Sequence, residues 1–204
     1  MTRRTIGIVD YEVGNHASVM RAFQSLNYRC RVSHDPNLLA ECDLLVLPGV
    51  GAYPAAMSAL HARGLVGFLR EQARNGKPFI GLCLGMQLLA DESLEHGITT
   101  GLGLIPGVVR PLRGMDWHIG WNTLETVQHD PLMAPSDSES FYFNHSLVFD
   151  VPTAYQAAIC RARESSFTVA VRRGNVVGLQ FHPEKSQAAG KQLLSRLVEG
   201  LGHA

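Results

Sequence analysis

The pattern of hydrophobic and polar positions changes character half-way along the chain. In the first half, short apolar runs alternate with amphipathic stretches. Thr5 to Asp10 is an apolar run that ends in a turn. Asn15 to Leu26 places Val19, Ala22, Phe23 and Leu26 on one face, the spacing of a helix. Tyr28 to Ser33 reads as a second strand. Asp43 to Leu47 reads as a third, nearly all apolar and so buried on both faces. Pro48-Gly49-Val50-Gly51 breaks the pattern. Pro54 to Asn75 predicts helix, interrupted near Gly64. Pro78 to Leu82 predicts a fourth buried strand, and Leu84 to Ser93 another helix. Strands alternating with helices imply βαβ units around a parallel sheet.

From Leu104 to Phe181 the pattern is one of short strands and turns: Val108 to Leu112, His118 to Val127, Phe141 to Phe149, Tyr155 to Arg161, Phe167 to Arg172 and Val176 to Phe181. Ser186 to Gly200 closes the chain as an amphipathic helix with Leu193, Leu194, Leu197 and Val198 inward. The expected fold is α/β: a central, mostly parallel sheet with helices on both faces and an antiparallel extension. With no repeat or linker in view, 1–204 is expected to form one domain.

Composition narrows the function classes. The 204 residues are 46% hydrophobic and 18% charged, an ordinary globular balance. Lys+Arg and Asp+Glu are 18 each, so no net charge recommends nucleic acid or an anionic membrane as partner. No apolar run approaches a membrane span, and no signal-peptide pattern follows Met1. Cys30, Cys42, Cys83 and Cys160 suggest neither a disulfide framework nor a metal site. A reducing, cytoplasmic setting is expected, with no metal and no cofactor.

One cysteine stands in a special place. Gly81-Leu82-Cys83-Leu84-Gly85 joins an apolar strand to a helix, the Gly-x-nucleophile-x-Gly elbow with Cys for Ser. The turn is so tight that flanking side chains would clash, and the nucleophile is exposed at its tip. Amides at the helix start favour the thiolate over a thiol whose free pKa is about 8.5. The amide of Leu84 is placed to bond an oxyanion. A thiolate needs a base, and Phe181-His182-Pro183-Glu184 supplies one at a strand end. With Pro183 holding the chain extended, Glu184 projects to the side of His182 and can fix its tautomer. In an open α/β sheet, Cys83 and His182 would both lie at carboxyl strand ends.

These residues resemble the catalytic triad of the class I glutamine amidotransferases. Within that family the chain is most similar to the glutaminase subunits of imidazole glycerol phosphate synthases. The similarity runs over Gly7-Ile8-Val9-Asp10-Tyr11 with Gly14-Asn15, Pro48 to Ala52, Gly81 to Leu89 and Gly101 to Gly107. It continues over His118 to Asn122, Tyr142-Phe143 with His145-Ser146, and Gln180 to Gln187, which is nearly the whole chain. The resemblance implies Cys83 as nucleophile, His182 as general base and acid, and Glu184 as its orienter. It implies an oxyanion hole from the amides of Val50 and Leu84, and a glutamine pocket at Gly51, Gln87, His145 and Ser146. It places Asn15, Trp121, Asn122, Tyr142 and Lys185 at a partner interface. The implied partner is a (β/α)8-barrel cyclase that makes imidazole glycerol phosphate with the ammonia, as a heterodimer. No Walker-type or dinucleotide-binding loop offers an acceptor site on this chain.

The sequence departs from the family pattern at Glu12-Val13, Asp116-Trp117, Asn144, Leu147 and Ser166-Phe167. None touches the triad, and most fall where glutamine or the partner would be contacted. Two other enzymes fit the same triad: a paralogous glutaminase feeding a sugar-amidating enzyme of surface polysaccharides, and a free-standing thiol hydrolase of γ-glutamyl amides. A non-catalytic regulatory subunit would have no use for an intact triad.

Overall fold

The computed structural model describes residues 3–127, 130–163 and 165–202. The first half runs β1 (Thr5–Val9), α1 (His16–Ser25), β2 (Arg29–Ser33), α2 (Pro36–Ala40), β3 (Leu44–Gly49), α3 (Tyr53–Ala62), α4 (Leu65–Arg74), β4 (Phe79–Cys83) and α5 (Leu84–Gln87). The second half runs β5 (Glu92–Ser93), β6 (Thr99–Thr100), β7 (Val108–Pro111), β8 (His118–Thr123), β9 (Glu125–Thr126), β10 (Ser140–His145), β11 (Leu147–Asp150), β12 (Gln156–Ala162), β13 (Ser165–Arg173), β14 (Val176–Leu179) and α6 (Gln187–Gly200).

The main sheet has eight strands in the order β2-β1-β3-β4-β14-β13-β12-β9. The first five are parallel and the last three antiparallel. A β10-β8 pair and a β11-β7-β5-β6 sheet complete the molecule. The expected α/β fold with an antiparallel extension is what forms.

The central strands are apolar because each feeds two cores. In β3, Leu44 and Val46 face a core shared with Phe23 of α1 and Leu193 and Leu197 of α6. Leu45 and Leu47 face the other, shared with Leu60 of α3, Leu69 of α4 and Met86 of α5. The period-two alternation within one apolar run is therefore real, with both faces covered.

Several expectations change. The strands expected at Phe141 to Phe149 and His118 to Val127 each divide, into β10 and β11 and into β8 and β9, whose halves pair in different sheets. The helix expected from Leu84 to Ser93 ends at Gln87, and Glu92–Ser93 is a strand. Its continuation fails because the carbonyls it needs are taken. Leu88, Leu89 and Ala90 give their carbonyls to the amides of Leu102, Leu104, Ile105 and Gly103 in a loop passing alongside. The segment after His182 is not extended: Pro183–Lys185 is a 3-10 turn, which a proline at the first position favours. The third strand runs on through Pro48 to Gly49. A short helix also forms at Pro36–Ala40, capped by the Asp35 side chain on the amide of Asn37.

Candidate active site

Strand register brings the site together. Cys83 ends β4 opposite Gly49, where β3 gives way to the Val50–Gly51 loop. On the other side Leu82 lies against Leu179, the last residue of β14, and His182 follows three residues later. Nucleophile, loop and imidazole thus leave three adjacent parallel strands at the same end of the sheet.

The elbow is strained as its sequence demands. Cys83 has φ 54 and ψ −111, a conformation that non-glycine residues avoid. A Cβ on Gly85 would lie 1.8 Å from the Leu47 carbonyl oxygen, and one on Gly81 would lie 2.5 Å from that of Gly85. Only glycine permits this crossing. Because α5 is one turn long, its macrodipole is small and its contribution to anion stabilisation is local, through the first amides.

Cys83 is 7% exposed at the floor of a cleft of about 270 Å³. Val50, Gly51, Leu84, Gln87, His145, Ser146, His182 and Lys185 line that cleft with it, so nine of the residues singled out in the sequence share one hollow. The sulfur lies 3.9 Å from the Asn144 carbonyl and 3.8 Å from Nε2 of Gln180. Gln180, fully buried, also accepts from Nε2 of Gln87 at 2.9 Å. The Gln87 carboxamide therefore reaches the sulfur through Gln180. Sequence reasoning missed Gln180 as a site residue, because a glutamine on an apolar strand end carries no spacing signal.

His182 is held from three sides. Its amide donates to the Tyr142 carbonyl at 2.9 Å, its carbonyl accepts from Ser186 Oγ at 2.7 Å, and its Nδ1 lies 2.8 Å from Glu184 Oε1. Burial alone would lower its pKa. Hydrogen bonds and charge from Cys83 and Glu184 outweigh burial and push it up to about 9. The Glu184 side chain is buried, and among the described residues its Oε2 has no hydrogen-bond partner, which leaves the imidazole as the group it grips there.

His145 behaves in the opposite way. Burial pushes its pKa down to about 4; a hydrogen bond to the Leu147 carbonyl opposes this, and the charges of His118 and His182 add to it. The contacts also fix its tautomer. Nδ1 must donate to the Leu147 carbonyl (2.8 Å), so Nε2 accepts from Nδ1 of His118 (2.9 Å). Nε2 of His118 in turn faces Nδ2 of Asn122 at 3.3 Å. Both ring nitrogens of His145 are engaged, and what it offers the cleft is backbone and ring edge.

Residues expected at an interface divide into two groups. Trp121 is 51% exposed on the outer face of β8 beside the more exposed Ile119, its ring 6.0 Å from that of Tyr142. The Lys185 ammonium lies 5.8 Å from the centre of the Tyr142 ring. These three form one surface. Asn122 is turned inward to His118 and the Arg161 carbonyl, and Asn15 caps α1 by accepting from the Ser18 amide. Glu95, Trp117, Asn144 and Leu147 also line the cleft and were not assigned to it from the sequence as site residues. Among the described residues no group of three His, Cys, Asp or Glu is placed to hold a metal ion, and no helix is long and apolar enough to cross a membrane.

An α/β sheet that presents a strained cysteine to an imidazole gripped by a carboxylate defines a class, the thiol hydrolases and transferases of the elbow type. The chain belongs to a particular family of that class, "Glutamine amidotransferase class-I", whose family model matches residues 7–199. It is 42% identical over 196 residues to "Imidazole glycerol phosphate synthase subunit HisH" of Streptococcus sanguinis, covering 94% of each chain. It is 41% identical over 202 residues to the protein of that name in Listeria monocytogenes, covering 95% of each. Among solved structures it superposes on a glutamine amidotransferase with TM-score 0.75 at 20% identity, over 95% of this chain and 97% of that one. It also superposes on a chain of PurLQS from Thermotoga maritima with TM-score 0.77 at 18% identity, over 97% and 99%. The two superpositions speak to the fold alone.

Proposed function

We propose that this chain is the glutaminase subunit of an imidazole glycerol phosphate synthase. It hydrolyses glutamine to glutamate and ammonia and hands the ammonia to a cyclase partner in histidine biosynthesis. The observation that carries the reading is the cleft in which Cys83 meets an imidazole driven toward its cationic form by Cys83 and Glu184. The glutamine amidotransferase family model over residues 7–199 supports glutamine as the substrate, and relatives of that name over 94% of their length support the synthase.

The Cys83 thiolate attacks the side-chain carbonyl of glutamine, and the amides of Val50 and Leu84 receive the oxyanion. Each such donor is worth about 3 to 4 kcal/mol in comparable sites. His182 protonates the leaving nitrogen, the C–N bond breaks and ammonia departs. His182 then takes a proton from water, whose oxygen attacks the thioester carbonyl. Glutamate leaves as the thiol is restored. Gly51, His145 and Ser146 form the pocket walls, and Gln87 supports the sulfur through Gln180. Tyr11 donates to the Pro48 carbonyl at 2.7 Å, which anchors the base of the oxyanion loop and leaves Val50 and Gly51 as its adjustable part. The chain works as one domain in the cytoplasm, docked through Trp121, Tyr142 and Lys185 on a (β/α)8-barrel cyclase as a heterodimer, with Asn122 turned inward from β8 and Asn15 exposed at the start of α1. It uses no metal or cofactor.

The test is the reaction of the complex. Cys83→Ala abolishes the glutamine-dependent cyclase reaction and leaves the reaction with ammonium salts intact. Glutaminase activity of the isolated chain is weak and rises strongly with the cyclase and its nucleotide. Loss of both reactions in Cys83→Ala, or full-speed turnover by the chain alone that no cyclase alters, would overturn the reading.

A further inference from the structure

Two of the departures from the family pattern, Trp117 and Asn144, meet each other in the lining of the cleft that holds the nucleophile. The indole N–H of Trp117 donates to the side-chain oxygen of Asn144 at 2.7 Å. Both residues line the cleft that holds Cys83. Trp117 is 55% exposed, so core packing does not hold its ring. The bond to Asn144 does, and solvent could have satisfied the same N–H. Asn144 sits on β10 opposite Ile119, and its main-chain carbonyl is the acceptor 3.9 Å from the Cys83 sulfur. One residue is therefore tied through its backbone to the nucleophile and through its side chain to the indole.

The consequence is chemical. With its N–H engaged, the indole presents only its π surface and edge to the cleft, a wall that is apolar and attractive to cations. Glu95 lines the same cleft, its carboxylate fixed by accepting from the Tyr53 amide at 2.6 Å. A carboxylate and an aromatic wall both attract an ammonium, and glutamine carries one on its α-carbon, away from the reacting amide. We infer that Trp117, clasped by Asn144, positions the amino-acid end of glutamine and makes the cleft selective for a free α-amino group. The inference deepens the glutaminase assignment and rests on it.

Steady-state hydrolysis by the full chain tests it, with glutamine compared against Nα-acetylglutamine. Trp117→Ala raises KM for glutamine about tenfold, the scale of a well-formed cation–π contact, with little change in kcat, and it narrows the preference for glutamine over the blocked analogue. Trp117→Phe, which keeps a ring and loses the clasp, falls between the two. Because the chain has only two tryptophans, a chain carrying Trp121→Phe and Cys83→Ala reports Trp117 emission alone, and that emission shifts on titration with glutamine. An unchanged KM in Trp117→Ala, or emission indifferent to saturating glutamine, overturns the inference. If the wild-type chain neither turns over glutamine nor is labelled at Cys83 by a glutamine-like electrophile, the glutaminase assignment itself has failed.

Discussion

Two imidazoles in one cleft are driven in opposite directions, and the difference sets the acid–base behaviour of the site. His182 is raised to about 9 despite burial, because Cys83 and Glu184 favour its cation. His145 is lowered to about 4, because burial and its histidine neighbours favour the neutral ring. Both would titrate near 6.5 when unfolded. The His182 contribution to stability is whole below pH 6.5 and is lost as pH rises through 9. The His145 contribution is whole above pH 6.5 and is lost as pH falls through 4. Urea midpoints measured across pH should therefore fall on both sides of a maximum. Glu184→Gln should shrink the alkaline limb alone, leaving the part due to Cys83, and lower kcat/KM at least about a hundredfold, as expected for a disoriented general base. An alkaline limb unaltered by that substitution would mean Glu184 does not govern the imidazole.

At the scale of elements, the site is as much a product of what lies behind it as of the triad. Helix α6 crosses the His182 turn so closely that a Cβ on Gly190 would lie 1.9 Å from the Pro183 carbonyl oxygen. Gly190→Ala should push that turn and His182 with it. A 1 Å misplacement is worth about a hundredfold in rate, so kcat should drop far more than KM rises. Steady-state kinetics of a variant shown folded by circular dichroism checks this. The inward face of α6 was legible, since Leu193, Leu194, Leu197 and Val198 repeat at helical spacing. So were the parallel strands and the elbow, whose glycines have a local steric cause. The end of α5 was not legible. Leu84 to Ser93 has no breaker after Gly85, and what stops the helix is the later Leu102 to Ile105 loop, whose amides take its carbonyls. Nor was the Gln87–Gln180–Cys83 chain, which joins residues 93 positions apart. Local pattern encodes local causes, and both misses had distant ones.

At the scale of the whole molecule, Cys83 lies at the carboxyl ends of the parallel strands, and a nonpolar surface opens beside it. Trp121 and Ile119 stand out from β8, with Tyr142 and Lys185 adjoining. A tryptophan so exposed fits a docking hot spot, where truncation costs about 2 kcal/mol or more of binding energy. Trp121→Ala should weaken association with the proposed cyclase partner by at least about thirtyfold, measured by calorimetric titration of the two subunits. Equal affinity would move the docking surface elsewhere.

The loop over Gly101–Gly107 ties the reactive bend to the rest of the molecule. Its amides bracket the backbone just past the nucleophile, and Arg70 of α4 grips its Gly101 and Leu102 carbonyls at 2.9 Å from the far side. The reactive bend is thus braced by two segments remote in sequence. Grafting the five-residue elbow onto a foreign strand end would transplant the curve without its scaffolding, and a working copy would have to bring both braces along.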